Sequence, residues 1–204
     1  MTTPMRTIDA ILAVFLMIFL FGMTLALNPV RPVSPPQTSP HLIIEPSVDE
    51  SFAALADETW TAFLTTFAAR ADCFGDVHLQ ASYQLPARAG YNPATATVTV
   101  RVPGSAARLQ AALIHEWAHH IEFQCPQQQT MRPAFLAAEG FPPDAAWRPA
   151  RSDTTTDAWA DIPSEHYAEA AILLVLGHNA TPTQIHVRRE AVDVLAAWAE
   201  GGGQ

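Results

Sequence analysis

Two histidines and a glutamate stand close together in the middle of the chain, in the stretch His115-Glu116-Trp117-Ala118-His119. Residues four apart on an α-helix lie on one face, about one turn from each other. Two imidazoles at that spacing can bind a single zinc ion, and the neighbouring Glu116 can take a proton from a water molecule that the zinc activates. The sequence therefore predicts His115 and His119 as metal ligands and Glu116 as a general base.

The surroundings of this motif favour a bound metal over an ordinary polar helix edge. The predicted helix runs from Ala106 to about Phe123 and is otherwise apolar, and it follows a clear strand pattern at Ala94–Val102. A helix that only carries two histidines at its polar edge is the alternative. However, polar groups on a core helix need a partner, and one zinc ion per chain would provide it.

A second pair of acidic residues can complete the site. Glu165 and Glu169 are also four residues apart, in a predicted helix that begins near Asp161 and ends near Gly177. A catalytic zinc site takes a third protein ligand and keeps one position open, so Glu165 can complete a His₂Glu set. Glu169 can accept the outer N–H of a ligand histidine and fix its tautomer. The alternative is a solvated first turn, where the helix dipole favours glutamate.

Together the two motifs resemble those of the gluzincin metallopeptidases. The stretch His115–Ile121, HEWAHHI, resembles the active-site helix of bacterial neutral zinc metallopeptidases. The stretch Glu165–Ala171, EHYAEAA, is similar to the glutamate helix of anthrax-lethal-factor-like peptidases. The resemblance covers these two helices and the strand before them. It implies a zincin-like peptidase with the ligands and base named above, Glu169 behind a ligand histidine, and the strand Ala94–Val102 along a cleft where an extended peptide can pair with it.

The sequence departs from this family at the oxyanion stabiliser. Lethal-factor-like enzymes carry a tyrosine shortly before the ligand glutamate, where this chain has Ala158 and Trp159. A developing oxyanion still needs a hydrogen-bond donor. The sequence leaves several candidates for that donor, which are Tyr167, His166, Tyr91 and Tyr83.

The amino-terminal segment predicts a location outside the cytoplasm. An uncharged apolar run extends over residues 10–27, and it fits either a retained membrane anchor or a cleaved signal peptide. The length of the run favours the anchor, whereas Thr24-Leu25-Ala26 offers a weak cleavage site. A proline-rich spacer follows over residues 28–46, and residues 47–204 are expected to form the peptidase domain.

The two cysteines of the chain, Cys73 and Cys125, are too few for a four-cysteine zinc module. Outside the cytoplasm such a pair usually forms a disulfide, so we expect one between them. A zinc-ligand role for Cys125 is the alternative.

The remaining patterns predict an acidic α+β domain. Apolar residues make up 49% of the chain and charged residues 15%, which is unlike a disordered protein. The net charge of −9 argues against a nucleic-acid partner. The predicted order is a helix after Ser47, strands at Val77–Gln84 and Ala94–Val102, the motif helix, an irregular stretch over residues 126–160 with a short helix around Ala134–Glu139, the glutamate helix and a last helix from Thr181.

We therefore expect a small zincin-like α+β domain, with a short antiparallel or mixed sheet, behind an amino-terminal hydrophobic helix. Its predicted activity is zinc-dependent hydrolysis of a peptide or protein substrate, with the membrane as a further partner if residues 10–27 are retained. The rival hypothesis is a non-catalytic extracellular module, either a structural zinc site or a degenerate peptidase that binds a partner. A zinc hydrolase that acts on a non-peptide amide is a third hypothesis.

Overall fold

The computed structural model describes residues 39–148, 159–179 and 181–202. These residues form an α+β fold with a mixed four-stranded sheet, which confirms the predicted class. The predicted amino-terminal hydrophobic helix and the spacer up to residue 38 lie outside the described residues. None of the described helices combines the length and the apolar character that crossing a bilayer requires.

The sheet has the strand order β1-β2-β4-β3. Its strands are β1 (Leu42–Ile44), β2 (Val77–Ser82), β3 (Ala89–Asn92) and β4 (Thr97–Arg101). The pairs β1–β2 and β2–β4 are parallel, whereas β3 and β4 are antiparallel. The strands predicted from alternating residues are thus present as β2 and β4. The sequence did not predict β1, which falls within the range assigned to the spacer, or β3, which contains Gly90 and lacks an alternating pattern.

Five α-helices are present in the described part of the chain. They are α1 (Glu50–Thr66), α2 (Ala106–Gln124), α3 (Gln128–Glu139), α4 (Pro163–Leu176) and α5 (Arg189–Ala199). The motif helix and the glutamate helix are α2 and α4, close to their predicted bounds. Helix α3 is longer than predicted, because burial of Met131, Phe135 and Leu136 offsets the cost of Pro133 inside it. The last helix begins at Arg189 rather than near Thr181.

Helix α2 lies at the centre of the α+β fold that the described residues form. It contacts α1, α4 and the strands β3 and β4. Its Trp117 is fully buried and packs against Trp60 and Phe63 of α1, with ring centroids 4.9 Å and 5.5 Å away. Aromatic pairs of this kind stabilise a core beyond the area that they bury. Because α2 is enclosed on several sides, the polar residues of its second half are held in fixed positions inside the protein.

A disulfide joins Cys73 to Cys125, as predicted. Cys125 is the residue that caps α2 at its carboxyl end, and Cys73 lies shortly before β2. The Cα atoms of the two residues are 4.8 Å apart. The bridge therefore ties the end of the motif helix to the chain that enters the sheet.

Removal of this disulfide is expected to lower the free energy of unfolding of the full-length protein by about 2–4 kcal/mol, since the bridge closes a long loop and so restricts the unfolded chain. The two cysteines are separated by 52 positions. Urea unfolding of the parent and of the double variant Cys73→Ser/Cys125→Ser measures the difference. Reductant should destabilise the parent and leave the double variant unchanged. Equal midpoints for parent and variant without reductant would contradict the prediction.

Candidate metal centre

Side chains from α2 and α4 meet in a buried cluster. His115 and His119 come from α2, and Glu165 comes from the first turn of α4. Nε2 of His115 lies 3.2 Å from Nε2 of His119 and 3.0 Å from Oε2 of Glu165. Nε2 of His119 lies 3.5 Å from Oε1 of Glu165. The three side chains that the sequence predicted as ligands therefore surround a common point.

A carboxylate holds each histidine from behind. Nδ1 of His115 donates to Oε1 of Glu169 (3.1 Å). Nδ1 of His119 lies 2.9 Å from Oε2 of Glu122, to which it donates when it carries the ring proton, and 3.0 Å from Nη2 of Arg148. A ring that donates from Nδ1 presents the lone pair of Nε2 on its other side, which is the state in which histidine binds a metal. The sequence predicted this role for Glu169. It missed Glu122, although the three-residue spacing from His119 places both on one helix face.

The separations within the cluster fit a small divalent cation. Ligand atoms at about 2.0–2.2 Å from a tetrahedral zinc ion stand about 3.3 Å apart. The two Nε2 atoms are 3.2 Å apart, and one ligand atom from each of the three residues lies within 4.8 Å of the others. Two imidazole lone pairs and a carboxylate that converge in a buried space attract a cation between them. The buried group of His115, His119 and Glu165 can therefore bind a metal ion.

The electrostatics of the cluster show how strongly it attracts positive charge. Burial alone would lower the pKa of His115, but hydrogen bonds to Glu165 and Glu169 outweigh it and raise that pKa to about 9. Burial would likewise raise the pKa of Glu165, but hydrogen bonds with His115 and His119 hold it well below its usual range. Because the histidine pKa is raised, a proton competes with a metal ion for this site.

Two arginines extend these contacts towards solvent. Nη2 of Arg88 lies 3.3 Å from Oε1 of Glu169. Arg148 donates from Nε to Oε1 of Glu122 (3.2 Å) and from Nη2 to Oε2 of the same carboxylate (2.8 Å). The side chains of Arg88 and Arg148 are 34% and 38% exposed. Each histidine is thus the inner end of a His–Glu–Arg chain, in which the arginine stabilises the charged carboxylate.

An open cleft of about 450 Å³ gives access to one side of the cluster. His115, His119, Glu165 and Glu116 all line this cleft. Glu116 is only 6% exposed, and none of the described residues donates a hydrogen bond to its carboxylate. The Glu116 carboxylate is therefore available to solvent in the cleft.

Trp159 forms the wall of the cleft beside Glu165. Its indole N–H donates to Oε2 of Glu165 (2.9 Å), and its ring stacks on that of His115 with centroids 6.2 Å apart. The contact orients the carboxylate towards the histidines. This residue stands in the region where the resemblance implies a tyrosine, and the sequence suggested no role for it.

Of the candidate oxyanion donors, only Tyr91 lines this cleft. Tyr167 is fully buried in the core, and its hydroxyl has no hydrogen-bond partner among the described residues. Nε2 of His166 donates to a backbone carbonyl at 2.7 Å. Tyr83 is exposed and lines a separate pocket beside α1. The structure therefore does not bring Tyr167, His166 or Tyr83 to the metal position.

The strand beside the cleft is β3, not the strand at Ala94–Val102 that the resemblance implied. Residues 87–91 line the cleft together with Pro93. Strand β4 lies inside the sheet between β2 and β3, where Val98 and Val100 are buried. The difference arises because the chain adds β3 at the edge of the sheet, next to α2.

Comparison of the chain with protein-family models, with curated proteins and with solved structures found no match. The functional argument for this site therefore depends on its geometry and on the chemistry of its side chains.

Proposed function

We propose that this protein is a zinc-dependent peptidase of the gluzincin type. The proposal depends above all on one observation. His115, His119 and Glu165 converge at the wall of an open cleft that also contains the Glu116 carboxylate. Zinc suits a set of two imidazoles and one carboxylate, and when bound it polarises a carbonyl and acidifies a water molecule.

Glu116 is the general base of the proposed reaction. It follows the ligand His115 directly on α2, and it faces the same cleft. Because none of the described residues donates to its carboxylate, both oxygens can accept hydrogen bonds from water. Glu116 takes the proton of the attacking water and passes it to the leaving amine when the C–N bond breaks.

The open edge of β3 supports a peptide as the substrate. The N–H of Arg101 donates to the carbonyl of Arg88 across the β3–β4 pair. Hydrogen-bonded and non-hydrogen-bonded pairs alternate along an antiparallel ladder. The backbone groups of Ala89 and Tyr91 are therefore directed away from β4, towards the open edge. An extended peptide can pair with such an edge and place a backbone carbonyl in the cleft.

The disulfide between Cys73 and Cys125 supports a location outside the cytoplasm, where such bridges persist. We propose that the protein acts there, secreted or held by residues 10–27. A membrane-held peptidase would meet its substrates close to the bilayer surface.

The rival hypotheses make different demands on the site. A structural zinc site closes its coordination with a fourth protein ligand, whereas the cluster found among the described residues has three. A hydrolase for a non-peptide amide would use the same chemistry but would gain nothing from the open edge of β3. Both features favour peptide hydrolysis.

The test is a metal analysis of the full-length protein, purified in mild detergent, followed by a peptide-library cleavage assay. We expect about one zinc ion per chain, cleavage that a chelator abolishes, and recovery when zinc is added back. A folded protein without bound metal would overturn the proposal. Zinc without cleavage of any peptide would favour the non-catalytic module.

A further inference from the structure

We propose that Arg148 donates the hydrogen bond that stabilises the oxyanion, in place of the tyrosine that the resemblance implies. The inference rests on the proposed function, because it concerns the same site and the same reaction. It depends on which donors the cleft contains, which of them are already engaged, and how Arg148 is held.

Tyr91 lies at the cleft, but its hydroxyl hydrogen is already used. Nε2 of His120 lies 3.2 Å from the carbonyl oxygen of Gly75, which can only accept, so this nitrogen carries the proton. Nδ1 of His120 therefore accepts from the Tyr91 hydroxyl (2.9 Å), and that hydroxyl accepts from Gln124 (3.2 Å).

The indole of Trp159 is engaged as well, since its single N–H donates to the ligand Glu165. Arg88 is also at the cleft, but it contacts Glu169, which lies behind His115. Arg148 differs from Tyr91 and Arg88 because it reaches the metal ligands themselves, with Nη2 3.0 Å from Nδ1 of His119. Nη1 of Arg148 lies 3.7 Å from Oε1 of Glu165, so it is close to a ligand side chain. This distance is too long for a hydrogen bond.

Glu122 holds Arg148 in this position. Two N–H groups of the guanidinium bind the two oxygens of Glu122, at 3.2 Å from Nε and 2.8 Å from Nη2. The paired geometry fixes the plane of the guanidinium and directs Nη1 away from the bound carboxylate. The ring of Phe123 lies beneath the same group, with its centroid 5.2 Å from Cζ. Among the described residues, Nη1 has no hydrogen-bond acceptor, and Arg148 lines the cleft, so Nη1 can donate into it.

Arg148 stays protonated throughout the proposed reaction and acts only as a hydrogen-bond donor. The water oxygen forms a bond to the carbonyl carbon, and Glu116 takes a proton from the water. The π-electron pair of the C=O bond moves onto the carbonyl oxygen. Arg148 stabilises the resulting negative oxygen through an N–H hydrogen bond. An electron pair of the negative oxygen then reforms the C=O bond, and the C–N bond breaks. The leaving amine takes the proton from Glu116.

The test compares the full-length parent with Arg148→Gln, both loaded with zinc. One readout is kcat and KM for a peptide from the library. The second readout is the Kd of a phosphonamidate tripeptide, whose tetrahedral P–O⁻ copies the oxyanion and whose binding requires no turnover. We expect kcat to fall about 10²–10³-fold, with a KM close to that of the parent. The phosphonamidate should bind at least about 10-fold more weakly, and the zinc content should not change.

Two further variants separate this role from a general loss of charge. Arg132→Gln is the matched control, because Arg132 also lies over an aromatic ring, at 4.8 Å from Trp147, but does not line the cleft. It should behave as the parent does. Arg148→Lys keeps a cation and should recover part of the phosphonamidate affinity even if Arg148→Gln folds poorly.

An unchanged phosphonamidate Kd in Arg148→Gln would overturn the inference, and so would a parent that does not bind the phosphonamidate. The inference can also fail while the proposed function stands. In that case the parent cleaves peptides, and Arg148→Gln cleaves them at the same kcat. Failure of the proposed function looks different, because then the parent itself does not cleave.

Discussion

Replacing Glu116 by Gln is expected to lower kcat for peptide cleavage by about 10²–10⁴-fold while the metal content stays at the level of the parent. Glutamine has nearly the same shape, so α2 and the ligand histidines should not move. It cannot accept the proton of the attacking water, and the proposed reaction therefore loses its base. Metal analysis and steady-state kinetics on the same preparation measure both quantities.

Glu139→Gln is the matched control for this variant. Glu139 is about as buried as Glu116, at 7% against 6% exposed, but it lies on α3 outside the cleft. It accepts a hydrogen bond from the backbone N–H of Arg188 (3.0 Å), which a glutamine can still accept. Glu139→Gln should cleave at the rate of the parent. Parent-like cleavage by Glu116→Gln would show that Glu116 is not the base.

Replacing Glu165 by Ala is expected to weaken metal binding by more than about 100-fold and to abolish cleavage. Loss of a carboxylate behind a ligand typically costs 10–100-fold in metal affinity, and Glu165 contacts the metal position directly. Its removal leaves the two Nε2 atoms, which are 3.2 Å apart, without the negative charge that balances a bound cation. Zinc titration with a competing chelator gives the affinity.

Thermal unfolding provides a second readout for the Glu165 variant. A metal that binds only the folded state stabilises it by about 2.7 kcal/mol at 100 times its Kd. Zinc should therefore raise the Tm of the parent and have little effect on Glu165→Ala. Glu139→Ala removes an equally buried carboxylate away from the cluster, at 7% exposed, and should keep the zinc response. If Glu165→Ala bound one zinc as tightly as the parent, the predicted ligand set would be wrong.

Local patterns were sufficient to predict much of the fold. Strands β2 and β4, and helices α2 and α4, follow from alternating or helical spacing within single segments. The predictions were wrong or incomplete for stretches whose structure depends on contacts with distant parts of the chain. Strand β1 has three residues and exists because β2 pairs with it, and α3 holds Pro133 because its apolar side chains pack into the core.

The residues that bind the proposed metal were predictable for the same reason. His115 and His119 share one face of α2, and Glu165 and Glu169 share one face of α4, since both pairs have helical spacing. That the two faces meet was expected from the third ligand that a catalytic zinc needs, and the resemblance to a known family implied the same ligand. In the structure, the contact between His115 and Glu169 spans 54 positions of the chain.

The residues around the ligands could not be identified from spacing. Arg148 and Trp159 come from a stretch without helical or strand periodicity, and they reach the cluster because α4 packs against α2. The same packing buries Tyr167 and leaves Tyr91 at the cleft with its hydroxyl engaged. Helical spacing is a property of neighbouring residues, so the chain alone identifies the ligand pairs. Which donors face the metal position, and which strand borders it, are set by contacts between segments far apart in sequence.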